Sequence, residues 1–171
     1  MQTGIILQAR CNSKRLPNKV IKNIKHKPIL ELIIERLQNI PHTKLIVATT
    51  KSKDDDEICK ICIKNDVPFY RGKKNDVLSR YYEITSKYKL KTIIRTNADC
   101  PFLNKDMIKK MITIFKKKKY DYFSNILEPS FPSGMHIEIF NKKTLNRAHK
   151  EAISISDREH VTPYIYKNRK K

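Results

Sequence analysis

The feature that most constrains this chain is a change of hydrophobic period that repeats along it. Short runs of β-branched and apolar residues, GIILQA (4–9), KLIVATT (44–50), VPFYR (67–71) and TIIRTN (92–97), alternate with longer amphipathic stretches. PILELIIERLQNI (28–40) carries apolar residues at 29, 30, 33, 34, 37 and 40 with a proline in its first turn, DDDEICKICIKN (54–65) opens on acidic cap candidates, and DVLSRYYEITSKY (76–88) keeps the helical pattern. Near-continuous apolar strands separated by helices predict parallel β buried on both faces. The expected fold is therefore α/β, a doubly wound and mostly parallel sheet of Rossmann-like type. NKDMIKKMITIFKKKK (104–119) predicts another helix, whose lysines 116–119 suit a helix C-terminus, DYFSNIL (121–127) and MHIEIF (135–140) further strands, and KKTLNRAHKEA (142–152) a last helix.

At 171 residues, with no repeat or Pro/Gly/Ser linker, residues 1–171 are expected to form one folding unit. The N-terminus has neither a signal-like core nor a membrane-length apolar run, which predicts a cytoplasmic protein without a membrane partner. The formal charge of +20 favours polyanions. Nucleic acid is nonetheless an unlikely partner, because no aromatic residues interleave with the cations and no binding module is recognisable. Cys59 and Cys62 form a CxxC on one apolar helix face with no second ligand pair, so packing is favoured over zinc. Only three glycines occur, at 4, 72 and 134, which excludes both GxGxxG and the P-loop pattern.

In an open parallel sheet, ligands bind beyond the carboxyl ends of the strands where strand order reverses. In a 3-2-1-4 order, that point lies between the first and fourth runs. After the first comes ARCNSKRLPNK, with Arg10, Ser13, Lys14, Arg15 and Lys19 in a loop stiffened by Pro17; after the fourth comes Asp99, just before Pro101. Cations facing a carboxylate suit a triphosphate and its magnesium. A solvated basic turn and a helix N-cap at Asp99 are the competing readings, and spacing alone does not separate them.

A resemblance does. QARCNSKRLPNKVIKNIKHKPILELIIERL resembles the QARxxSxRLPxKxL opening of the spore-coat polysaccharide and acylneuraminate cytidylyltransferases, and VPFYRGKKNDVLSRYY resembles their FRGxxxDVLxRYY segment. RTNADCPFLNKDMI is similar to their RxTGDCPLIDPxxI, and SDREHVTPYIY to their xEREHVTPYIY. The four segments occur in order along the chain. The resemblance implies a GT-A-like nucleotidyltransferase in which a sugar or sugar-acid hydroxyl attacks the α-phosphate of CTP and releases pyrophosphate. It further implies that Arg10, Ser13, Arg15 and Lys19 hold the triphosphate, that Gln8 and Ala9 belong to the nucleotide site, that Arg71, Gly72, Asp76 and Arg80 line the nucleoside side, and that Asp99 binds Mg²⁺. Arg15, Lys19 and Asp99 would be catalytic, and His136, Glu138, Arg158 and His160 are candidates to face the acceptor; the competing readings are a surface or hydrogen-bonded strand histidine at 136, and a helix cap at Asp157 with Arg158 in a salt bridge.

Four departures qualify that expectation. Asn97 and Ala98 stand where the family usually has Thr and Gly, and His136 where it usually has an acidic residue. Members also normally continue into a region resembling WTVDTPED with a second acidic ligand, whereas the sequence stops at YKNRKK. The expectation is a chain that binds CTP and metal through Asp99 and forms CMP-sugar slowly or not at all, with Glu138 the first candidate to replace the second ligand. The rival readings are a nucleotide-binding scaffold of the same family and a basic nucleic-acid binder. The acceptor sugar and the oligomeric state, a homodimer included, stay open.

Overall fold

The computed structural model describes residues 2–13, 16–128 and 131–168. In chain order they form β1 (Thr3–Gln8), a 3-10 turn (Lys19–Ile21), the two-residue strands β2 (Asn23–Ile24) and β3 (Lys27–Pro28), α1 (Ile29–Leu37), β4 (Thr43–Thr50) and a second 3-10 turn (Lys53–Asp55). Then follow α2 (Asp56–Lys64), β5 (Phe69–Gly72), α3 (Val77–Lys87), β6 (Thr92–Asn97), α4 (Lys105–Lys118), β7 (Tyr122–Ser124), β8 (Glu138–Asn141), α5 (Lys142–Glu151), α6 (Ile155–His160) and α7 (Pro163–Lys167). The main sheet runs β5-β4-β1-β6-β8-β7. Its first four strands are parallel, in the order expected from sequence, while β8 runs antiparallel to both β6 and β7.

Alternation along β1 sends its side chains to two separate cores. Ile5 and Leu7 meet Leu30, Ile33, Ile58 and Ile108 from α1, α2 and α4. Ile6 meets Leu78, Tyr81, Leu145 and Ile165 from α3, α5 and α7. Helices thus cover both faces of the sheet. Each fully buried Ile or Leu contributes about 1.5–3 kcal/mol, against about 0–1 kcal/mol for an exposed ion pair, so these layers hold the fold despite its charge.

Local chemistry sets the helix ends. The Asn104 side chain accepts from the amides of Asp106 (2.8 Å) and Met107 (3.2 Å) and starts α4; Lys119, at φ 54°, stops it after Lys116–Lys118. Asp76 caps α3 by accepting from the Ser79 amide (3.0 Å), and Asn141 caps α5 through the Thr144 amide (2.8 Å). Cys59 and Cys62 are buried on α2, as their packing reading requires. Burial pushes the Cys62 thiol up to about 12. Among the described residues, no helix is long and apolar enough to cross a membrane.

Candidate active site

Parallel pairing places Gln8, the last residue of β1, level with Asn97, the last of β6. The chain leaves the sheet at both points, and a cleft of about 190 Å³ opens between the departing loops. Gln8, Arg10, Ser13 and Lys19 approach it from the β1 side; Arg95, Asn97, Ala98 and Asp99 from the β6 side; Glu159 and His160 from α6. Val20 and Val77 supply its apolar walls.

Two ion pairs cross the opening. Lys19 Nζ lies 2.9 Å from Asp99 Oδ2, and Arg10 Nη2 lies 3.8 Å from Glu159 Oε1. All four side chains keep between 30% and 41% of their surface exposed, so a bound anion could exchange for the carboxylates without unpacking the protein. Beneath them, Gln8 Oε1, Asn97 Oδ1 and Arg95 Nε are buried and have no hydrogen-bond partner among the described residues. Orphaned polar atoms at the floor of a cleft are costly unless a ligand or water completes them. The methyl of Ala98 joins the first core, and its amide donates to the Gln8 carbonyl (2.8 Å), so alanine is accommodated there.

The β1 loop is shaped around Cys11. This residue is buried, and its carbonyl accepts from the amides of Ser13 (2.9 Å) and Asn18 (2.8 Å), bringing the two ends of the loop together. Burial and the neighbouring Asp55 carboxylate push its thiol up to about 12, so the group is an inert anchor and not a nucleophile.

On the opposite wall, α6 begins where Ser154 Oγ accepts from the Asp157 amide (3.1 Å) and donates to Asp157 Oδ2 (2.7 Å). The cap is therefore Ser154, with Asp157 as its reciprocal partner. Arg158 turns away from the cleft and grips Asp76 Oδ2 through Nε (3.0 Å) and Nη2 (2.7 Å). Burial alone would raise the Asp76 carboxyl, but Arg158 and the Ser79 amide outweigh it and hold the group below its ordinary value. Directly after His160 the backbone makes a tight reversal. Val161 sits at φ 71°, ψ −55°, and the Thr162 amide donates to the His160 carbonyl (2.8 Å), a γ-turn of the rare positive-φ kind. That reversal leaves Glu159 and His160 at the cleft while the Val161 side chain enters the second core.

Of the residues expected from sequence, Gln8, Arg10, Ser13, Lys19, Asp99 and His160 come together here. Ala9 lies just behind, buried, with its amide bonded to Ala48 O (3.0 Å). Arg15 lies outside the described residues. The remainder stand elsewhere. Arg71 is engaged with Thr50, Ser52 and Asp56. Gly72 is buried, and a Cβ there would lie 2.5 Å from Arg80 Cγ, so the glycine admits the stem of that arginine. Arg80 itself is wholly buried, donates to Lys73 O (3.2 Å), and has its pKa lowered by that burial. Asp76 is held by Arg158 and Glu138 by Arg95, while the His136 carbonyl accepts from Thr96 Oγ1 (3.0 Å). Sequence reasoning missed Glu159 and Arg95. Glu159 was recoverable from its place between Arg158 and His160 on one short helix; Arg95 reads as an ordinary strand residue and gives no local signal.

The profile of the cytidylyltransferase family matches residues 4–171. An uncharacterized protein of Methanocaldococcus jannaschii is 39% identical over 95% of this chain and 66% of its own length. The spore coat polysaccharide biosynthesis protein SpsF of Bacillus subtilis is 30% identical over 94% of the chain and 68% of its own length. The 3-deoxy-manno-octulosonate cytidylyltransferase of Wigglesworthia glossinidia brevipalpis is 32% identical over 85% and 56% respectively. These curated relatives are therefore longer than the chain, which spans between about half and two thirds of them. Among solved structures, a cytidylyltransferase from Leptospira borgpetersenii superposes with a TM-score of 0.94 at 32% identity, over 98% of this chain and 72% of that one. By sequence and by structure, the chain belongs to the cytidylyltransferase family.

Proposed function

We propose that the cleft binds CTP with Mg²⁺ and serves transfer of the cytidylyl group to a hydroxyl of a sugar or sugar acid, with release of pyrophosphate. The observation that carries this reading is the Lys19–Asp99 pair between the carboxyl ends of β1 and β6. It joins a phosphate-seeking ammonium to a carboxylate at the switch point of the sheet. Arg10 and Lys19 would hold the triphosphate oxygens by charge-assisted hydrogen bonds. The unpartnered Gln8 Oε1 and Asn97 Oδ1 offer acceptors for donor groups of the nucleotide or the acceptor. The acceptor oxygen would form a bond to the α-phosphorus as the bond to the departing pyrophosphate breaks, and His160, which lines the cleft, would be the group to take up the hydroxyl proton.

The donor set fits a metal carried in with the nucleotide. Among the described residues, no three His, Cys, Asp or Glu side chains converge to hold an ion by themselves; two carboxylates line the cleft, Asp99 paired with Lys19 and Glu159 paired with Arg10. Magnesium commonly takes one or two protein carboxylates and fills its shell with phosphate oxygens and waters. When bound, it supplies charge neutralisation on the phosphates. The relatives' names agree with this reading, one being a 3-deoxy-manno-octulosonate cytidylyltransferase and another a polysaccharide biosynthesis protein.

Pyrophosphate release and titration calorimetry with CTP, UTP, ATP and GTP, with and without Mg²⁺, over a panel of sugar acids, test the proposal. The expected result is tightest binding of CTP and release with one class of acceptor. Absence of both CTP binding and pyrophosphate release would overturn it; preference for another nucleotide would overturn the CTP assignment alone.

A further inference from the structure

Asp55 is a carboxylate in an unusual place. It is 1% exposed and makes no ion pair among the described residues. Its position at the start of α2 suggests a helix cap, yet it makes no capping hydrogen bond to that helix. Its oxygens point elsewhere. Oδ1 accepts from the Cys11 amide at 2.7 Å, across 44 residues of sequence; Oδ2 accepts from the Thr50 amide (3.2 Å) and from the Thr50 hydroxyl. Three donors converge on a group that can only accept, which is a reason to keep a buried charge. Cys11 is the residue whose carbonyl closes the β1 loop, so Asp55 grips that loop at its root.

Asp55 is in turn held from the far edge of the sheet. Arg71, on β5, donates from Nε to Thr50 O (2.8 Å) and from Nη2 to Ser52 O (2.7 Å), and its Nη1 lies 2.7 Å from Asp56 Oδ1. All three nitrogens are engaged with the β4–α2 connection that presents Asp55. The contacts form one relay, from β5 through Thr50 and Asp55 to Cys11 at the neck of the loop carrying Arg10 and Ser13.

We propose that Asp55 and Arg71 are positioning residues for the triphosphate, fixing the β1 loop without touching the nucleotide. The inference rests on the reading that the cleft takes CTP. It assigns Arg71 a different task from the nucleoside contact that its motif implies, and gives a task to Asp55, which sequence presents as one of three consecutive aspartates. Loop placement matters because phosphate contacts assist transfer only when held in near-attack geometry.

The experiment compares CTP with CMP, which lacks the β- and γ-phosphates, by titration calorimetry on wild type, Asp55→Ala, Asp55→Asn and Arg71→Ala, beside amide exchange of Cys11–Ser13 in nucleotide-free protein. Asp55→Ala is expected to weaken CTP about tenfold to a hundredfold, the worth of a charge-assisted hydrogen bond, while CMP changes by about threefold or less. Asn keeps one acceptor for Cys11 and should restore about half of the loss on a logarithmic scale. Arg71→Ala, acting one step further back, should weaken CTP by about threefold to tenfold with CMP unaffected. Both alanine variants should speed exchange at Cys11–Ser13 and leave β1 protected. Loss of CTP and CMP in equal proportion, or unchanged loop exchange, would overturn the proposal. Should Asp55→Ala fail to fold, Arg71→Ala decides by the same two readouts. Should the wild type bind neither nucleotide, the CTP reading fails, and the exchange data still decide whether Asp55 anchors the loop.

Discussion

Two cation–carboxylate pairs stand within the same strand-end region and differ in almost everything but chemistry. Lys19 and Asp99, at the mouth of the cleft, retain 30% and 41% of their side-chain surface; Arg95 and Glu138, beneath it, retain 12% and 3%. The upper pair links two loops. The lower links adjacent antiparallel strands, and Glu138 also accepts from the Tyr122 hydroxyl (2.7 Å). Burial and the Glu138 charge push that phenol upward, so it stays a donor. An exposed pair separates at little cost and can hand its partners to a ligand, whereas a buried one is committed because either member alone would be an uncompensated charge. The difference leaves Glu138 committed to Arg95 and Tyr122, whereas Asp99 can exchange Lys19 for another partner.

The contrast breaks most visibly at Glu138. Glu138→Ala strands the Arg95 guanidinium and should cost about 3–5 kcal/mol of unfolding free energy, read by denaturant titration. A cost below about 1 kcal/mol would place the two pairs in the same class. At the upper pair the effects should be reversed. Asp99→Asn is expected to change stability by no more than about 1 kcal/mol but to remove the dependence of CTP binding on Mg²⁺, with affinity in saturating Mg²⁺ falling about tenfold or more in calorimetry. Retained metal dependence would move the ligand role to another residue.

Asp76 and Arg158, intermediate in exposure, sharpen the comparison through pH. The Asp76 carboxyl is held below its ordinary value, so its contribution is fully present above that value and is lost as pH falls through the lowered one. Arg158→Ala should therefore cost about 1 kcal/mol at neutral pH, and the gap to wild type should narrow as pH falls below about 4. Thermal melts at pH 7 and pH 3 provide the measurement. A gap that does not narrow at all as pH falls would mean that Arg158 acts through its bonds to the carbonyls of His149 and Ala152 instead.

What the sequence disclosed follows the same division. Strands β1, β4, β5 and β6, their order, and the convergence of the β1 loop with Asp99 were legible because hydrophobic period and the switch-point rule act locally or through topology. The β2–β3 hairpin was too short to carry a period, and α6 and α7 offer only six and five residues each. The fates of Arg71, Asp76, Arg80 and Glu138 were hidden for a different reason. Each is a charged residue expected at the site, and its partners lie 15 to 82 residues away or in the protein interior. Motif membership reveals that a charge matters; it does not reveal whether it faces ligand or scaffold. Asp55 shows the converse, since among three aspartates nothing local distinguishes the one that turns inward.

The reversal at Val161 ties the wall of the cleft to the core. A β-branched residue held at positive φ stores about 1–3 kcal/mol, and the surrounding apolar packing of Val161 has to hold that strain in place. The wall bearing Glu159 and His160 therefore behaves like a cocked spring whose catch lies in the hydrophobic interior. Sequence drift that loosens the catch would register first as imprecision at the cleft, before any loss of the folded state, and drift that relieves the strain would yield a sturdier protein with a blunter site.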